Sequence, residues 1–189
     1  MNQKTDKALM MKVKSGDIDQ LGLLFERHNK PLFGFFYRLT NNAPVSEDLV
    51  QNVFMRILRY RQTFNGDGKF TTWMYQIARN VHIDHYRKEK RLGQSDNLID
   101  WEKMKSDDKN AHEHLEHKSE LNLLKKAMAR LSVEKREALI LSRFQGLKYE
   151  EIADVQNCSL SAVKVRIFRA MNELKEIVAN LEKEKSYDR

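Results

Sequence analysis

Apolar residues recur at helical spacing along almost the whole chain. One regular stripe consists of Leu49, Val50, Val53, Phe54, Ile57 and Leu58. Residues three and four apart lie on one face of an α-helix, so this stripe predicts an amphipathic helix. The 189 residues include only seven glycines and two prolines, too few for the many turns of an all-β fold. We therefore predict an all-α fold of one domain or two small ones.

The charge of the chain is basic overall and unevenly distributed. The net charge of +7 favours a polyanionic partner, nucleic acid before membrane. Nine bases and three acids lie from Gln51 to Arg91, whereas eight acids and four lysines lie from Leu92 to Glu120. This change of sign marks a boundary. We predict two helical domains, 1–93 and 120–189, joined by a flexible acidic linker at 94–119.

Several classes of protein are disfavoured by the composition. Cys158 is the only cysteine, so no internal disulfide can form. The first residues lack the apolar run of a secretory signal, and no stretch approaches the ~20 apolar residues that a membrane span needs. No glycine-rich phosphate loop and no nucleophile elbow occurs. We expect a cytoplasmic protein that is not an enzyme, uses no cofactor and does not insert into a membrane.

Polar residues predict where some helices begin. Ser46 has the character of an N-cap, with Glu47 and Asp48 in the first turn, where the helix dipole favours acids. Thr71 or Thr72 is the predicted cap of the next long helix. The helical pattern then returns at Glu120, after the acidic segment.

The segment YEEIADVQNCSLSAVKVRIFRA, from Tyr149 to Ala170, fits a helix-turn-helix. Ala153 is small where a second helix would cross close to the first. Asn157 stands at the turn, where the backbone is usually left-handed, and asparagine tolerates positive φ better than most residues. Ser159 is the predicted N-cap of the second helix. The pattern favours binding of duplex DNA, and the alternative is an ordinary helical hairpin with a solvated basic face.

The outer face of that second helix combines cations with apolar side chains. In a major groove, arginine contacts guanine, apolar groups contact the thymine methyl, and lysine neutralises phosphate. The residues predicted to contact duplex DNA are Ser161, Lys164, Val165, Arg166, Phe168 and Arg169.

A separate predicted helix, earlier in the chain, also combines aromatic rings with arginine. It covers Phe70 to Arg91, with the sequence FTTWMYQIARNVHIDHYRKEKR. Its predicted core face carries Trp73, Met74, Ile77, Ala78 and Val81. The opposite face, predicted to be exposed, carries Tyr75, Arg79, His82, Ile83 and Tyr86. Exposed rings beside arginine suit unstacked bases, because stacking contributes about 1–3 kcal/mol per base. The alternative is a helix whose outer tyrosines pack on a neighbouring element.

A group of histidines lies within the acidic segment. His112, His114 and His117 stand close to Glu113 and Glu116, so a metal site is conceivable. The spacing is not that of an HExxH motif, because the fourth residue after His112 is Glu116. We therefore predict a solvated segment and no metal site.

Three motifs, in this order along the chain, resemble those of a bacterial sigma factor of the small extracytoplasmic-function group. The segment SEDLVQNVFMRIL resembles the region 2 helix that docks on the clamp coiled coil of RNA polymerase. The segment that melts and recognises the −10 element resembles GKFTTWMYQIARNVHIDHYRKEKR. Region 4, which recognises the −35 element, resembles GLKYEEIADVQNCSLSAVKVRIFRAMNELK. The resemblance covers nearly the whole chain except the linker and the extreme ends.

The resemblance implies roles for the residues that match. Those implied to contact polymerase are Asp48, Gln51, Asn52, Phe54, Met55 and Arg56. The loop implied to form a pocket for a flipped −10 base consists of Asn65, Gly66, Asp67, Gly68 and Lys69. Extruding a base costs a few kcal/mol, so a preformed pocket helps. Along the non-template strand, beside Tyr75 and Arg79, would lie Asn80, Ile83, Asp84 and Arg87.

One of these residues keeps a second interpretation. Asp84 could equally brace its own helix by pairing with Arg87 or Lys88, which are within one turn.

The resemblance implies a transcription initiation factor that binds core RNA polymerase through its clamp coiled coil and flap. Such a factor contacts duplex promoter DNA at −35 and the opened non-template strand at −10, and it performs no chemistry itself. In many members of this family an anti-sigma protein masks these surfaces, which makes one a candidate partner here. The alternative is a stand-alone helix-turn-helix regulator, which leaves the exposed residues of the Ser46–Leu58 helix unexplained.

Overall fold

Two groups of α-helices make up the computed structural model, which describes residues 5–92 and 114–187, with side chains from residue 120 to 184 in the second segment. The first group consists of α1 (Asp6–Lys14), α2 (Gln20–Thr40), α3 (Ala43–Arg59), a short 3-10 helix (Arg61–Thr63) and α4 (Phe70–Arg91). The second consists of α5 (His114–Arg130), α6 (Val133–Arg143), α7 (Tyr149–Gln156) and α8 (Leu160–Tyr187). These ranges contain no strand, so the all-α prediction is confirmed.

Helix α3 begins three residues before the predicted start. Asn42 is its N-cap, and the Asn42 side chain accepts a hydrogen bond from the backbone N–H of Val45 at 3.1 Å. Pro44 lies in the first turn, where a missing N–H is tolerated. Ser46 is instead fully buried inside the helix, and its hydroxyl donates to the Asn42 carbonyl oxygen at 2.6 Å. The prediction that Ser46 is the N-cap was wrong.

Two further helix starts differ from the sequence prediction. Helix α4 begins at Phe70 with Lys69 in the N-cap position, so Thr71 and Thr72 lie within its first turn. Helix α5 begins at His114, six residues before Glu120, where the second domain was predicted to begin. The remainder of the predicted linker, with His112, falls outside the described residues.

Large apolar side chains form the centre of the first helical group. Leu32, Phe35 and Phe36 of α2 are fully buried, as are Ile57 of α3 and Met74 of α4. Helices α2 and α3 are joined by only two residues, which makes them antiparallel neighbours. Their packing presents α4 along one side of the bundle.

The helix-turn-helix of the second group has the predicted local geometry. Asn157 has φ of 50° and lies in the left-handed region. The backbone N–H of Ala162 donates to the hydroxyl of Ser159 at 3.2 Å, which caps the N-terminus of α8. Val163 and Ile167 bury the inner face of α8 against Ile152 of α7. Both the turn residue and the cap are confirmed.

The two helical groups pack against each other. Helix α4 lies against α7, and α2 lies against α6. Buried apolar residues of both groups belong to one continuous cluster, which includes Met74 and Ala78 of α4 and Ile140 and Ile152 of the second group. The structure is therefore a closed arrangement, in which one side of α4 faces the helix-turn-helix domain.

Candidate nucleic-acid and polymerase interfaces

The outer face of α8 is exposed and carries both apolar and basic side chains. Phe168 is 68% exposed and Val165 is 48% exposed. Ser161, Lys164 and Arg169 are exposed beside them. Phe168 and Val165 together with these polar and cationic side chains form a mixed apolar and basic surface. Five of the six predicted residues therefore share one accessible face.

Arg166 does not share that face. It is half-buried, and its guanidinium donates to the side-chain oxygen of Gln156 and lies 3.7 Å from the sulfur of Cys158. The side chain therefore ties the start of α8 to the end of α7 and to the turn. In this structure Arg166 is turned toward α7 and away from the other five residues, and its predicted contact with DNA stays a prediction.

The glycine loop between α3 and α4 is short and internally bonded. The backbone N–H of Asp67 donates to the side-chain oxygen of Asn65 at 3.2 Å. Gly66 has φ of +81°, a conformation that favours glycine, and it is buried. Asp67, Gly68 and Lys69 are exposed. The loop therefore has a preformed backbone with an accessible rim.

The C-terminal half of α4 presents polar residues to solvent. Asn80 and Arg87 are exposed, Ile83 is half-buried, and Tyr86 is 47% exposed. Asp84 is also accessible, and its carboxylate lies 2.8 Å from the guanidinium of Arg56 on α3. The brace formed by Asp84 therefore joins two helices, and the predicted partners within α4 do not form it.

Two residues of the face that was predicted to be exposed are covered. Tyr75 is 3% exposed and His82 is 8% exposed, although both were predicted to face solvent. The Tyr75 hydroxyl donates to the side-chain oxygen of Gln145 at 2.7 Å, and its ring packs edge-on against Phe35 at 5.3 Å. Sequence analysis left two interpretations of this helix, exposed rings for bases or outer tyrosines packed on a neighbouring element. In this structure Tyr75 has the packing contact, with a residue of the second domain.

A chain of polar contacts joins α4 to α8 through α6 and α7. The Arg79 guanidinium donates to the carboxylate of Glu137 at 3.1 Å, and Gln156 donates to the same oxygen at 2.8 Å. Glu137 is only 2% exposed, and its burial raises the pKa of the carboxyl despite the hydrogen bonds from Gln156 and Arg79. Gln156 accepts from Arg166 on its other side. One buried carboxylate thus accepts hydrogen bonds from residues of two other helices, Arg79 of α4 and Gln156 of α7.

Further contacts close the remainder of the interface. Gln76 donates to the backbone oxygen of Asp154 at 3.1 Å. Lys69, in the glycine loop, pairs with Glu151 of α7 at 2.8 Å. Burial opposes ionisation of Glu151, but the bonds from Lys69 and the backbone of Lys148 prevail and lower its pKa. The second domain therefore occupies both the loop rim and the adjoining side of α4.

His82 occupies a cationic and buried environment. Burial lowers its pKa to about 4, and the positive charges of Arg136, His85 and Arg79 act in the same direction. Arg136 itself donates to the Leu39 carbonyl oxygen at 3.0 Å across the interface. His82 is therefore a neutral imidazole at pH 7 in the closed arrangement.

Helix α3 presents an exposed and mostly polar face. Met55 is 72% exposed, and Asp48, Gln51 and Asn52 are exposed on the same helix. Phe54 differs, because it is 6% exposed and its ring packs edge-on against Phe25 at 4.9 Å. Phe54 was predicted to contact polymerase, but in this structure it is covered by Phe25, and the contact stays a prediction.

Arg56 and a groove border that face. Arg56 is half-buried between Asn52, to which it donates at 3.2 Å, and the carboxylate of Asp84. A groove of about 350 Å³ runs between α2 and α3, lined in part by Phe33, Val50 and Gln51. The exposed part of α3 therefore continues into an apolar depression.

Three residues that were not predicted from the sequence bond across or beneath the domain interface, namely Glu137, Gln145 and Gln156. A signal for Glu137 was present in the sequence. It falls three and four positions before Ile140 and Leu141, on the buried side of α6. A carboxylate on an apolar face needs a hydrogen-bonding partner from another element.

Neither a membrane span nor a metal centre is found in residues 5–92 and 114–187. No helix there is both long and apolar enough to cross a bilayer. No cluster of three or more histidine, cysteine or acidic residues in that part of the chain could hold a metal ion.

Known families and relatives match both helical groups. The family Sigma-70 region 2 matches residues 24–92, and the family Sigma-70, region 4 matches residues 121–174. The chain is 30% identical over 191 aligned positions to the RNA polymerase sigma-H factor of Pseudomonas aeruginosa, covering 97% of this chain and 99% of that protein. It is 29% identical to the ECF RNA polymerase sigma-E factor of Escherichia coli K12, covering 89% and 91%.

Two solved structures share the fold. RpoE of Bartonella quintana, crystallised with the anti-sigma factor NepR, has a TM-score of 0.66 and 27% identity, over 84% of this chain and 96% of that one. CnrH in complex with the cytosolic domain of CnrY has a TM-score of 0.70 and 23% identity, over 94% of this chain and 99% of that one.

These matches span both domains, so the alternative of a stand-alone helix-turn-helix regulator is wrong. The chain belongs to the sigma-70 family, in which it is an extracytoplasmic-function sigma factor, an RNA polymerase-binding transcription initiation factor that recognises promoters.

Proposed function

We propose that the exposed face of α8 contacts the −35 duplex. The observation that carries this assignment is the exposure of Phe168 and Val165 between Lys164 and Arg169 on the second helix of a helix-turn-helix. In this role Arg169 and Lys164 meet bases or phosphates, and the apolar pair meets thymine methyls. Arg166 ties the turn to α7 in this structure, and its contact with DNA stays a prediction.

The −10 strand is assigned to the glycine loop and the exposed side of α4. Its components are the loop from Asn65 to Lys69, the accessible residues Asn80 and Arg87, and the covered pair Tyr75 and Arg79. Stacking on Tyr75 and pairing of Arg79 with phosphate both require surfaces that Gln145 and Glu137 occupy here. The DNA-bound form is therefore an opened form of this structure.

The proposed domain boundaries allow this opening. Residues 1–93 form the core-binding and −10 domain, 94–119 the linker and 120–189 the −35 domain. Polymerase contributes by holding the two domains apart on separate sites, the clamp coiled coil for α3 and the flap for the second domain. The α3 contacts are Asp48, Gln51, Asn52 and Met55, all of which remain exposed in the closed arrangement.

Regulation by an anti-sigma protein follows from the same surfaces. RpoE of Bartonella quintana binds the anti-sigma factor NepR. A comparable protein would act on this chain in the cytoplasm, where core polymerase is found. The chain itself would make and break no covalent bond.

Reconstituted transcription tests the proposal. Start sites mapped after overexpression supply a template, which is then transcribed by core polymerase with and without the chain. We expect a transcript from the mapped start only when the chain is present, and co-elution of chain and core. Met55→Lys should reduce co-elution, whereas Lys12→Glu, at an exposed position on α1, should not. Absence of both transcript and co-elution with the unmodified chain would contradict the proposal.

A further inference from the structure

Helix α1 lies before the part of the chain that matches region 2, yet it is firmly attached to that domain. The family match begins at residue 24, whereas α1 covers Asp6–Lys14. Leu9, Met10 and Val13 are fully buried. Asp6 binds two groups of α2, the guanidinium of Arg27 at 2.7 Å and the ring of His28 at 2.8 Å. Helix α1 is therefore a fixed component of the first domain.

A second side of α1 faces the glycine loop. Lys7, Met11 and Lys14 are spaced by four and three residues, which places them on one side of the helix. The ammonium group of Lys14 donates to the carbonyl oxygen of Phe64 at 2.7 Å, and Gln62 donates to the carbonyl oxygen of Lys14 at 3.0 Å. These bonds fix the distance between the helix and the loop.

Lys7 and Met11 lie directly over the centre of that loop. A Cβ atom placed on Gly66 would lie 3.2 Å from Cε of Lys7 and 3.6 Å from the sulfur of Met11. Gly66 is buried for this reason, although Asn65 and Asp67 on either side are exposed. The two covering side chains are themselves exposed, with Met11 at 40%. Long unbranched side chains of this kind can move aside without any change in the backbone.

The charges around the loop differ in their availability. Lys69 is paired with Glu151 of the second domain, and Arg79 is paired with Glu137. Lys7 has no carboxylate partner among the described residues. It therefore presents a cation beside the loop even in the closed arrangement.

We propose that Lys7 and Met11 form a further part of the single-stranded DNA site, on the α1 side of the glycine loop. The thioether of Met11 packs against the flipped base, since sulfur makes favourable contacts with aromatic rings. The ammonium of Lys7 neutralises the phosphate next to that base. This assignment rests on the proposed −10 function of the loop and adds two residues that the family match does not include.

Binding of holoenzyme to fork-junction DNA with a single-stranded −10 segment tests the role of Lys7. We expect Lys7→Ala to weaken binding about three- to tenfold and to reduce the salt dependence by about 0.7 in the log–log slope, the value for one single-strand phosphate. The matched control is Lys12→Ala, which removes the same charge from an exposed position elsewhere on α1. Equal behaviour of the two variants overturns the assignment of Lys7.

Met11 is tested with a series of DNAs that carry one abasic site at successive positions of the −10 segment. Met11→Ala should weaken binding to intact DNA about two- to tenfold. This loss should disappear at the one position where the contacted base is missing. A loss that persists at every position, or no loss at all, overturns the assignment of Met11. Failure of the unmodified holoenzyme to bind the fork junction would instead refute the proposed −10 function.

Discussion

Arg169 is the side chain on which base recognition at −35 can be tested most simply. It is exposed on the outer face of α8, next to Phe168. If it makes a bidentate contact with one base, Arg169→Ala should weaken binding by about 1–3 kcal/mol on the native sequence and relax specificity at one base pair. Lys175→Ala, at an exposed position further along α8, is the control. Equal losses on all sequences would show that Arg169 contacts a phosphate.

His82 gives the closed arrangement a predictable pH dependence. Its pKa is about 4 in the folded chain and about 6.5 when unfolded, so the unfolded chain binds more protons between these values. The contribution of neutral His82 to the free energy of unfolding is complete above pH 6.5. It should fall by about 2 kcal/mol between pH 7 and pH 5. Urea unfolding of the unmodified chain at the two pH values measures this change.

A variant without the imidazole separates His82 from the other buried groups. His82→Gln cannot titrate, so its free energy of unfolding should depend less on pH over the same range. Glu137 works in the opposite direction, because its raised pKa makes the folded chain bind the extra proton as the pH falls. Identical pH dependence in the variant and the unmodified chain would rule out the role given to His82.

At the scale of elements, the turn of the helix-turn-helix depends on one left-handed residue. Asn157 is exposed and has φ of 50°, so its replacement alters backbone strain more than packing. Asn157→Val should lower the free energy of unfolding by about 1–2 kcal/mol, because a β-branched residue resists positive φ. Asn157→Gly should cost much less, since glycine adopts this conformation without strain. Thermal or urea unfolding of the two variants checks the difference, and equal losses would contradict it.

Elements with a strong local signal could be predicted from the sequence. The apolar stripe of α3, the turn at Asn157 and the cap at Ser159 each depend on residues within a few positions, and the structure has all three. The start of α3 was missed because Ser46, followed by the acids Glu47 and Asp48, has the local character of an N-cap. The helix instead begins after Asn42, which is followed by Pro44 in the first turn.

At the scale of the whole molecule, the covered side of α4 could not be predicted from its own sequence. A helical wheel separates the core face from the remainder, but it does not show which remote element covers an outer face. Tyr75 bonds to a residue 70 positions away, and Arg79 to one 58 positions away. The exposed outer face of α8 was predictable, because no other described element covers Phe168.

Two carboxylates of the second domain should control the balance between closed and open forms. The double variant Glu137→Gln, Glu151→Gln keeps side chains of similar shape but weakens the pairs with Arg79 and Lys69. We expect the closed form to be destabilised relative to the open form by on the order of 1 kcal/mol. Because only the open form would bind the strand, this change corresponds to about fivefold tighter binding of a single-stranded −10 DNA. Fluorescence anisotropy of a labelled oligonucleotide measures this affinity.

The control for that experiment changes the net charge by the same amount. Glu134→Gln, Glu150→Gln replaces two exposed carboxylates near the beginnings of the same helices, α6 and α7. The control should bind the oligonucleotide as the unmodified chain does. If both double variants gain equally, the gain comes from general electrostatics, and the idea that the closed form masks the strand site would be wrong.

The most direct test is a distance measurement between the two domains by pulsed electron spin resonance. Spin labels at Glu26→Cys on α2 and Glu176→Cys on α8, both exposed and away from the proposed contacts, report on the domains in a Cys158→Ser background. We predict one short, narrow distance distribution in the free chain. With core polymerase and promoter DNA, the distribution should shift to longer distances as α4 parts from α7. An unchanged distribution in a complex that transcribes would contradict the account.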